Sequence, residues 1–531
     1  APLWGRTREG LGPLPASQRE ARGRPQQGGS VGANRKMGGC TMNILVVDVG
    51  TSSMRGIVFT HAGQQLSSSQ AAYRPRYLGN GWVEQPPADW EAALYTVMAG
   101  AAEASRQGGW PLDGVALTSQ RSSVIPVGRD MRPLCDAIMW QDKRVEPLCR
   151  ELGQENGWVF RRCGARVNPV FSGPKMAWVR RERPEIYKNT YKFLAVPDYL
   201  LYLLTGRLAT DYTYGSRSLL MGLRTRQWDK ELLALFGVEE GRLCPLVEPG
   251  SLFGGLAARA AARTGCPQGL PVVPCGGDQQ CGAIGQGVVR PGALSITAGT
   301  GGFLIAGAGE IPRDLGQDVL CNCAAIPGQY ILESSVLACS SAFDWFRREF
   351  YGPGYPLAQL DEEVAASPPG AGGCLCLPYF QGRSTPDWNT AAVGVFHHVT
   401  LSTRRQDMLR ALLEGIAIEL GSGAEAMARY VPLGEVAING GLTNSQPFCQ
   451  MLSDACGLGL LRRGGAAATA RGALMVAAQA LGAYGTVEEA YQAISKGSQV
   501  QAYKPQAENA ALYKHMRQEI AQLYGQIWPH A

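Results

Sequence analysis

Apolar and polar positions along the chain fall into runs of two different periods. Residues 44–59, ILVVDVGTSSMRGIVF, hold a β-branched apolar run, a turn at Gly50-Thr51-Ser52-Ser53, and a second apolar run. Residues 294–306, LSITAGTGGFLIA, repeat that arrangement with a turn at Gly299-Thr300-Gly301-Gly302. Each predicts a strand, a tight turn and a returning strand. Elsewhere the period lengthens. AALYTVMAGAAEASRQ reads as a helix opening near Ala88-Asp89 after two prolines, and residues 172–206 read as helical pieces broken by prolines and ended at Gly206. VALTSQ (115–120) and SVIPV (123–127) read as a strand pair around Gln120-Arg121. Helices are predicted around 340–350, 405–420 and 466–482, a loop-rich stretch at 366–390, and a strand ending in the turn Asn439-Gly440-Gly441. This mixture predicts two α/β halves with a cleft between them, divided near Gly287–Gly292.

The two Gly-Thr turns add chemistry to that outline. A strand–turn–strand built on Gly and hydroxyl residues exposes several backbone N–H groups on a concave loop, a nest for an anion such as phosphate. Two such loops about 250 residues apart suggest a duplicated domain gripping one polyphosphate from both sides. The copies are not equivalent: Asp48 stands in the first strand where the second has Thr297. A carboxylate there suits a Mg²⁺ held through water, with a turn-capping aspartate as the alternative. Arg55, just past the turn, is placed to neutralise phosphate charge. Before the second copy stands PVVPCGGDQQCGAIGQG, in which Asp278 follows two glycines at a strand end. It suits a general base that takes the proton of an attacking hydroxyl while the γ-phosphoryl moves in line, with helix capping as the alternative.

Composition narrows the field. A chain of 531 residues with 45% hydrophobic and 18% charged residues is globular and long enough for two or three domains. The net charge of +6 is local: residues 1–41 carry seven Lys/Arg against two acids, so the body is close to neutral. Nothing there argues for a nucleic-acid surface. That Gly/Pro/Gln/Arg-rich segment is expected to be disordered, an upstream or cloning-derived extension, with the fold starting near Met42. No apolar run reaches membrane-spanning length. Fifteen scattered cysteines without a Cys-x-x-Cys pair, and only five histidines, predict reduced thiols in a cytoplasmic protein rather than a metal site. Walker, protein-kinase and dinucleotide fingerprints are missing, as is a Gly-x-Ser-x-Gly elbow.

The body from Met42 to about residue 525 resembles the FGGY carbohydrate kinases. DVGTSSMR resembles their first phosphate motif and AGTGG the second; GGDQQCGAIGQG resembles the catalytic-aspartate segment in glycerol-kinase wording. GWVEQPPADW resembles an early block, and GGLTNSQPFCQMLSDACG, with Gln450 and Asp454, an adenosine motif. The resemblance implies an α/β fold of two duplicated RNase H-like domains, as in the actin/hexokinase ATPases, with an ATP/sugar cleft between them. Residues 42–287 would form the domain with the sugar site, first phosphate loop and catalytic Asp278, and residues 288–531 the domain with the second phosphate loop and adenosine site. It further implies ATP and Mg²⁺, with Asp48 near the metal. Thr51, Ser52, Arg55, Gly299, Thr300, Gly301, Gly440 and Gly441 would contact ATP. Gln120, Arg121, Trp140, Gln141, Asp142, Arg144, Asp278 and Gln279 would contact a small sugar or polyol. Neither nucleic acid nor membrane is implied as a partner, and a homo-oligomer is left open.

The departures bear on the acceptor. Glycerol kinases carry Arg-Glu where Arg121-Ser122 stands here, and a Tyr where Val170 stands, so glycerol binding is expected to weaken. Xylulose kinases carry Gln-Met-His-Gly where SQRS occurs, although WQDKR resembles their Trp-Asn-Asp-x-Arg. The second family signature is partly met, at Gly394-Val395 and Leu413-Glu414, and GRSTP replaces Gly-Glu-Arg-Thr-Pro. The expected activity is therefore phosphorylation of a ketopentose or related sugar or polyol. The alternatives are a glycerol kinase proper, a non-catalytic ATP- and sugar-binding regulator, and an acyl-phosphate-forming kinase.

Overall fold

The first strand, Asn43–Val49, has Ile44 through Val47 fully buried, and its alternate side chains enter two different cores. Leu45 and Val47 pack with Trp90 and Leu94 of the helix Pro87–Gly108. Ile44 and Val46 pack with Ala470, Leu474 and Ala477 of the Ala-rich helix Ala468–Ala480. A strand covered on both faces must be apolar throughout, which is why this run does not alternate with polar residues. These relations come from a computed structural model that describes residues 41–463 and 467–529. The segment expected to be disordered lies, Thr41 apart, outside the described residues.

Two sheets repeat one connectivity. The first runs Gly254–Gly255, Pro271–Gly277, Gly114–Ser119, Asn43–Val49, Ser53–Thr60, Gln65–Ala72. The second runs Leu320–Cys323, Tyr330–Val336, Gly302–Ala308, Leu294–Ala298, Val436–Asn439, Leu460–Arg463, Val500–Tyr503. In each, a Gly-Thr hairpin is antiparallel, and its first strand pairs in parallel with a strand reached by crossover, which pairs in parallel with the next. The duplication read from two turns thus extends to whole sheets. The helix Arg405–Ala428 is longer than its predicted span and buried along most of its length beneath the second sheet.

One predicted pairing is wrong. Residues 114–119 and 125–127 are both strands, but they do not pair with each other. The first lies between Asn43–Val49 and Pro271–Gly277, and the second pairs with Lys192–Leu194. Between them Ser122 adopts φ 71°, a left-handed conformation that turns the chain out of the sheet. The predicted glycine-studded segment after Asp278 is a helix, Asp278–Gly285, and its glycines let it lie against the Ala-rich helix. A Cβ on Gly285 would stand 2.0 Å from the Ala468 carbonyl oxygen, and one on Gly472 1.8 Å from that of Cys281.

Candidate functional site

In the first sheet the candidate residues stand at the carboxyl ends of three adjacent parallel strands. Val49, Ser119 and Gly277 lie in register across the sheet, so the residues that follow them, Gly50, Gln120 and Asp278, emerge side by side. This is where open α/β sheets place ligands. The strand ends are pinned from behind by a short helix, Tyr212–Gly215. The Tyr214 hydroxyl donates to the Gly276 carbonyl at 2.9 Å and accepts from the Ser119 N–H at 3.1 Å. The Thr213 hydroxyl accepts from the Gly277 N–H at 3.0 Å.

The first loop is closed by the Gly50 N–H donating to Ser53 at 3.0 Å, and the carbonyls of Gly50 and Ser52 are also occupied. The Tyr73 hydroxyl donates to the Gly50 carbonyl at 2.8 Å, Gln120 Nε2 approaches the same oxygen at 3.4 Å, and the Tyr73 N–H donates to Ser52 at 3.0 Å. Trp140 Nε1 donates to the Thr51 hydroxyl at 3.1 Å. The second loop is built alike. Gly299 accepts from the Ser340 N–H at 2.7 Å, and Thr300 from the N–H of Cys339 at 2.9 Å and the Ser341 hydroxyl at 2.9 Å. Among the described residues, the N–H groups of Thr51, Ser52 and Thr300 have no protein partner, the condition an anion nest requires. Gly301 is buried beside Thr300.

Gly440 and Gly441 join this second loop. Their strand runs parallel to Leu294–Ala298, with Thr297 opposite Asn439. Gly440 has φ 103°, and a Cβ there would stand 2.4 Å from the Ala298 carbonyl oxygen, so only glycine lets the two turns abut. Gln450 and Asp454, by contrast, serve the C-terminal helix: Asp454 is buried and accepts from the Gln506 N–H and Gln450 Nε2, both at 2.8 Å.

Charge is concentrated around Asp278. Burial raises its carboxyl above the ordinary aspartate value, and Arg121, with Nε 4.0 Å from Oδ1, draws it part of the way back. The Gln279 N–H donates to Oδ1 at 2.8 Å. Asp48 is pushed up to about 6, by burial first and by the Asp278 charge second, with Arg55 acting in the opposite sense. Arg55 lies directly across the hairpin from Asp48 and is exposed, while its counterpart in the second hairpin is Phe303, opposite Thr297.

Three predicted acceptor residues have contacts with groups other than Asp278. Asp142 is fully buried and accepts from the Val83 N–H at 2.5 Å and from Arg144 Nε and Nη2 at 2.9 and 2.8 Å. Arg144 also reaches Glu84 at 2.8 Å and lies over the rings of Trp82 and Trp178. Gln141 Nε2 approaches the Tyr77 hydroxyl at 3.5 Å. The Asp142–Arg144 pair braces the segment that presents Trp140.

Two charged residues escaped the reading of the sequence. Glu333, in the second sheet, accepts from Arg121 Nη1 at 2.5 Å and from Arg217 Nη1 at 2.9 Å. Its one visible mark was a lone acid in the apolar strand YILESSV, since unpaired acids are rare inside sheets. Arg217 carried no signal beyond its charge.

This geometry has relatives. The model for the FGGY family of carbohydrate kinases, N-terminal domain, matches residues 43–285, and that for its C-terminal domain residues 294–481. A xylulose kinase of Bacillus subtilis is 28% identical over 493 residues, 92% of this chain and 97% of that protein. A glycerol kinase of Alkalilimnicola ehrlichii is 32% identical over 472 residues, 85% of this chain and 93% of that protein. The crystal structure of a gluconate kinase from Lactobacillus acidophilus superposes with a TM-score of 0.86 at 20% identity, covering 92% of this chain and 98% of that one. The chain belongs to the FGGY family of carbohydrate kinases, and its two-domain α/β architecture is that of the actin/hexokinase ATPases. It is an ATP-dependent sugar or polyol kinase.

Proposed function

We propose that this kinase transfers the γ-phosphoryl group of ATP to a hydroxyl of a ketopentose or related sugar or polyol, with Asp278 as general base. The observation that carries the reading is the emergence of Asp278, the first Gly-Thr loop and Gln120-Arg121 from three adjacent parallel strand ends. Asp278 takes the proton of the acceptor hydroxyl as that oxygen bonds to the γ-phosphorus; the bond from phosphorus to the β–γ bridging oxygen breaks, and ADP leaves with the electron pair. The free amides of Thr51, Ser52 and Thr300 meet phosphate oxygens, Arg55 offsets their charge, and the Gly440-Gly441 turn, abutting the second loop, takes the adenosine end. Gln120, Arg121, Trp140 and Gln279 face the acceptor, with Asp142 and Arg144 fixing Trp140.

A Mg²⁺ suits this site. Asp48 is a half-buried carboxylate held above its ordinary value, a cost that a bound cation relieves. Among the described residues no three His, Cys, Asp or Glu side chains gather as a metal cage, which fits a metal carried by nucleotide phosphates and one carboxylate. When bound, it would add charge neutralisation at the phosphates.

We further place the boundary between the two domains near residues 287–288. The free cysteines of the described residues, mostly buried, fit a reducing compartment such as the cytoplasm. No helix among the described residues is long and apolar enough to cross a membrane. The test is ADP release by purified protein across glycerol, longer polyols, ketopentoses, ketohexoses and deoxy-sugars. Acceptor-stimulated release with at least one is the expected result; none with any of them overturns the reading.

A further inference from the structure

Arg121 lies just past a strand end of the first sheet and Glu333 within the second, 212 residues apart, yet their side chains meet at 2.5 Å with both about 10% exposed. Arg217, 8% exposed, adds a second guanidinium to the same carboxylate. Burial would raise the Glu333 carboxyl, but the two arginines outweigh burial and hold it below its ordinary value, so it is charged. The fourth member is Asp278. Arg121 and Arg217 against Glu333 and Asp278 sum to zero charge, in a place where an uncompensated charge is costly.

The strand that carries Glu333 is clamped next to it. Ser334 Oγ shares a hydrogen bond with Thr385 Oγ1 at 2.7 Å, and Ser335 Oγ with Ser384 Oγ at 2.9 Å. Arg383, just before them, is held by Glu419 at 3.0 Å. The GRSTP segment thus fixes the backbone on which Glu333 stands. Within this cluster are buried hydrogen-bonding atoms with no protein partner, Gln280 Nε2 and Arg217 Nε. Gln280 itself accepts from Arg121 Nη1 at 3.3 Å. Neutral hydroxyls satisfy such atoms without disturbing the charge balance, whereas a carboxylate leaves the set with a net negative charge.

We propose that Glu333 is a specificity-determining positioning residue, supplied by the second domain, that makes this kinase select neutral polyhydroxylated acceptors over aldonates. It acts through Arg121 and Arg217: its charge offsets one of the two guanidiniums, Asp278 offsets the other, and no positive charge is left over for an acidic acceptor. The proposal rests on the kinase reading above.

The test is kcat/KM of the full chain for a neutral acceptor from the ADP-release screen and for gluconate. Wild type should favour the neutral acceptor by at least about tenfold, and Glu333→Gln, which leaves one net positive charge, should shift that ratio toward gluconate by about 100-fold. Arg217→Gln combined with Glu333→Gln restores zero charge and should return the preference to the neutral acceptor; Glu333→Asp should keep it. A wild type that prefers gluconate overturns the proposal without reference to any variant and leaves the kinase reading standing. So does a Glu333→Gln protein, folded by thermal unfolding, that loses both activities equally, since a merely structural residue would do that. A wild type active on neither class removes the kinase reading and this proposal with it.

Discussion

Arg121 stands between two carboxylates, 4.0 Å from Asp278 and 2.5 Å from Glu333, and its loss has a sign that can be worked out. Asp278 is raised by burial and drawn down by Arg121, while the Glu333 charge acts to raise it. A general base works ionised, so activity is present above its pKa and lost as pH falls through it. Arg121→Gln removes the lowering charge and leaves Glu333 less screened, both of which lift Asp278. The acidic limb of the kcat–pH profile should therefore move to higher pH. A limb that stays in place or moves to lower pH contradicts this account of Asp278.

At the scale of elements, Asp278 depends on how its helix is seated. The helices Asp278–Gly285 and Ala468–Ala480 approach so closely that backbone meets backbone, and a Cβ on Gly472 would stand 1.8 Å from the Cys281 oxygen and 3.0 Å from the Gly285 nitrogen. Neither contact is a flexible side chain, so Gly472→Ala must part the helices, at a cost of about 2–3 kcal/mol for overpacking of this kind. Denaturant unfolding should record that loss, with kcat falling as Asp278 shifts; stability within about 0.5 kcal/mol of wild type would contradict the packing argument. What the sequence disclosed and concealed follows the same division. The Gly-Thr hairpins and the strand-end positions of Asp48 and Asp278 were legible because each pattern lies in a few consecutive residues. The pairing of residues 125–127 with 192–194 was hidden, because an apolar triplet does not name its partner and the left-handed Ser122 left no local mark. The glycines of the Asp278 helix were visible, but that they serve a helix contact rather than a loop depended on a segment almost 200 residues away. Glu333 was hidden for the same reason: its partners Arg121 and Arg217 lie far back in the chain.

For the whole molecule, the two sheets repeat one connectivity but divide the labour. The first bears the acid-bearing hairpin, Asp278 and Arg121; the second bears the plain hairpin, the Gly440-Gly441 turn and Glu333. Contacts such as Arg121–Glu333 and the paired glycine helices tie the two halves together beside Asp278. In the proposed reaction Asp278 carries the chemistry while the loops carry the nucleotide. The most direct test is Asp278→Asn, assayed for acceptor-dependent ADP release and for ATP affinity by equilibrium titration. The variant should show a rate lower by about 1,000-fold, within the span of general-base effects, and an ATP Kd within about threefold of wild type. A folded Asp278→Asn protein that keeps a substantial share of the wild-type rate would contradict the assignment of Asp278.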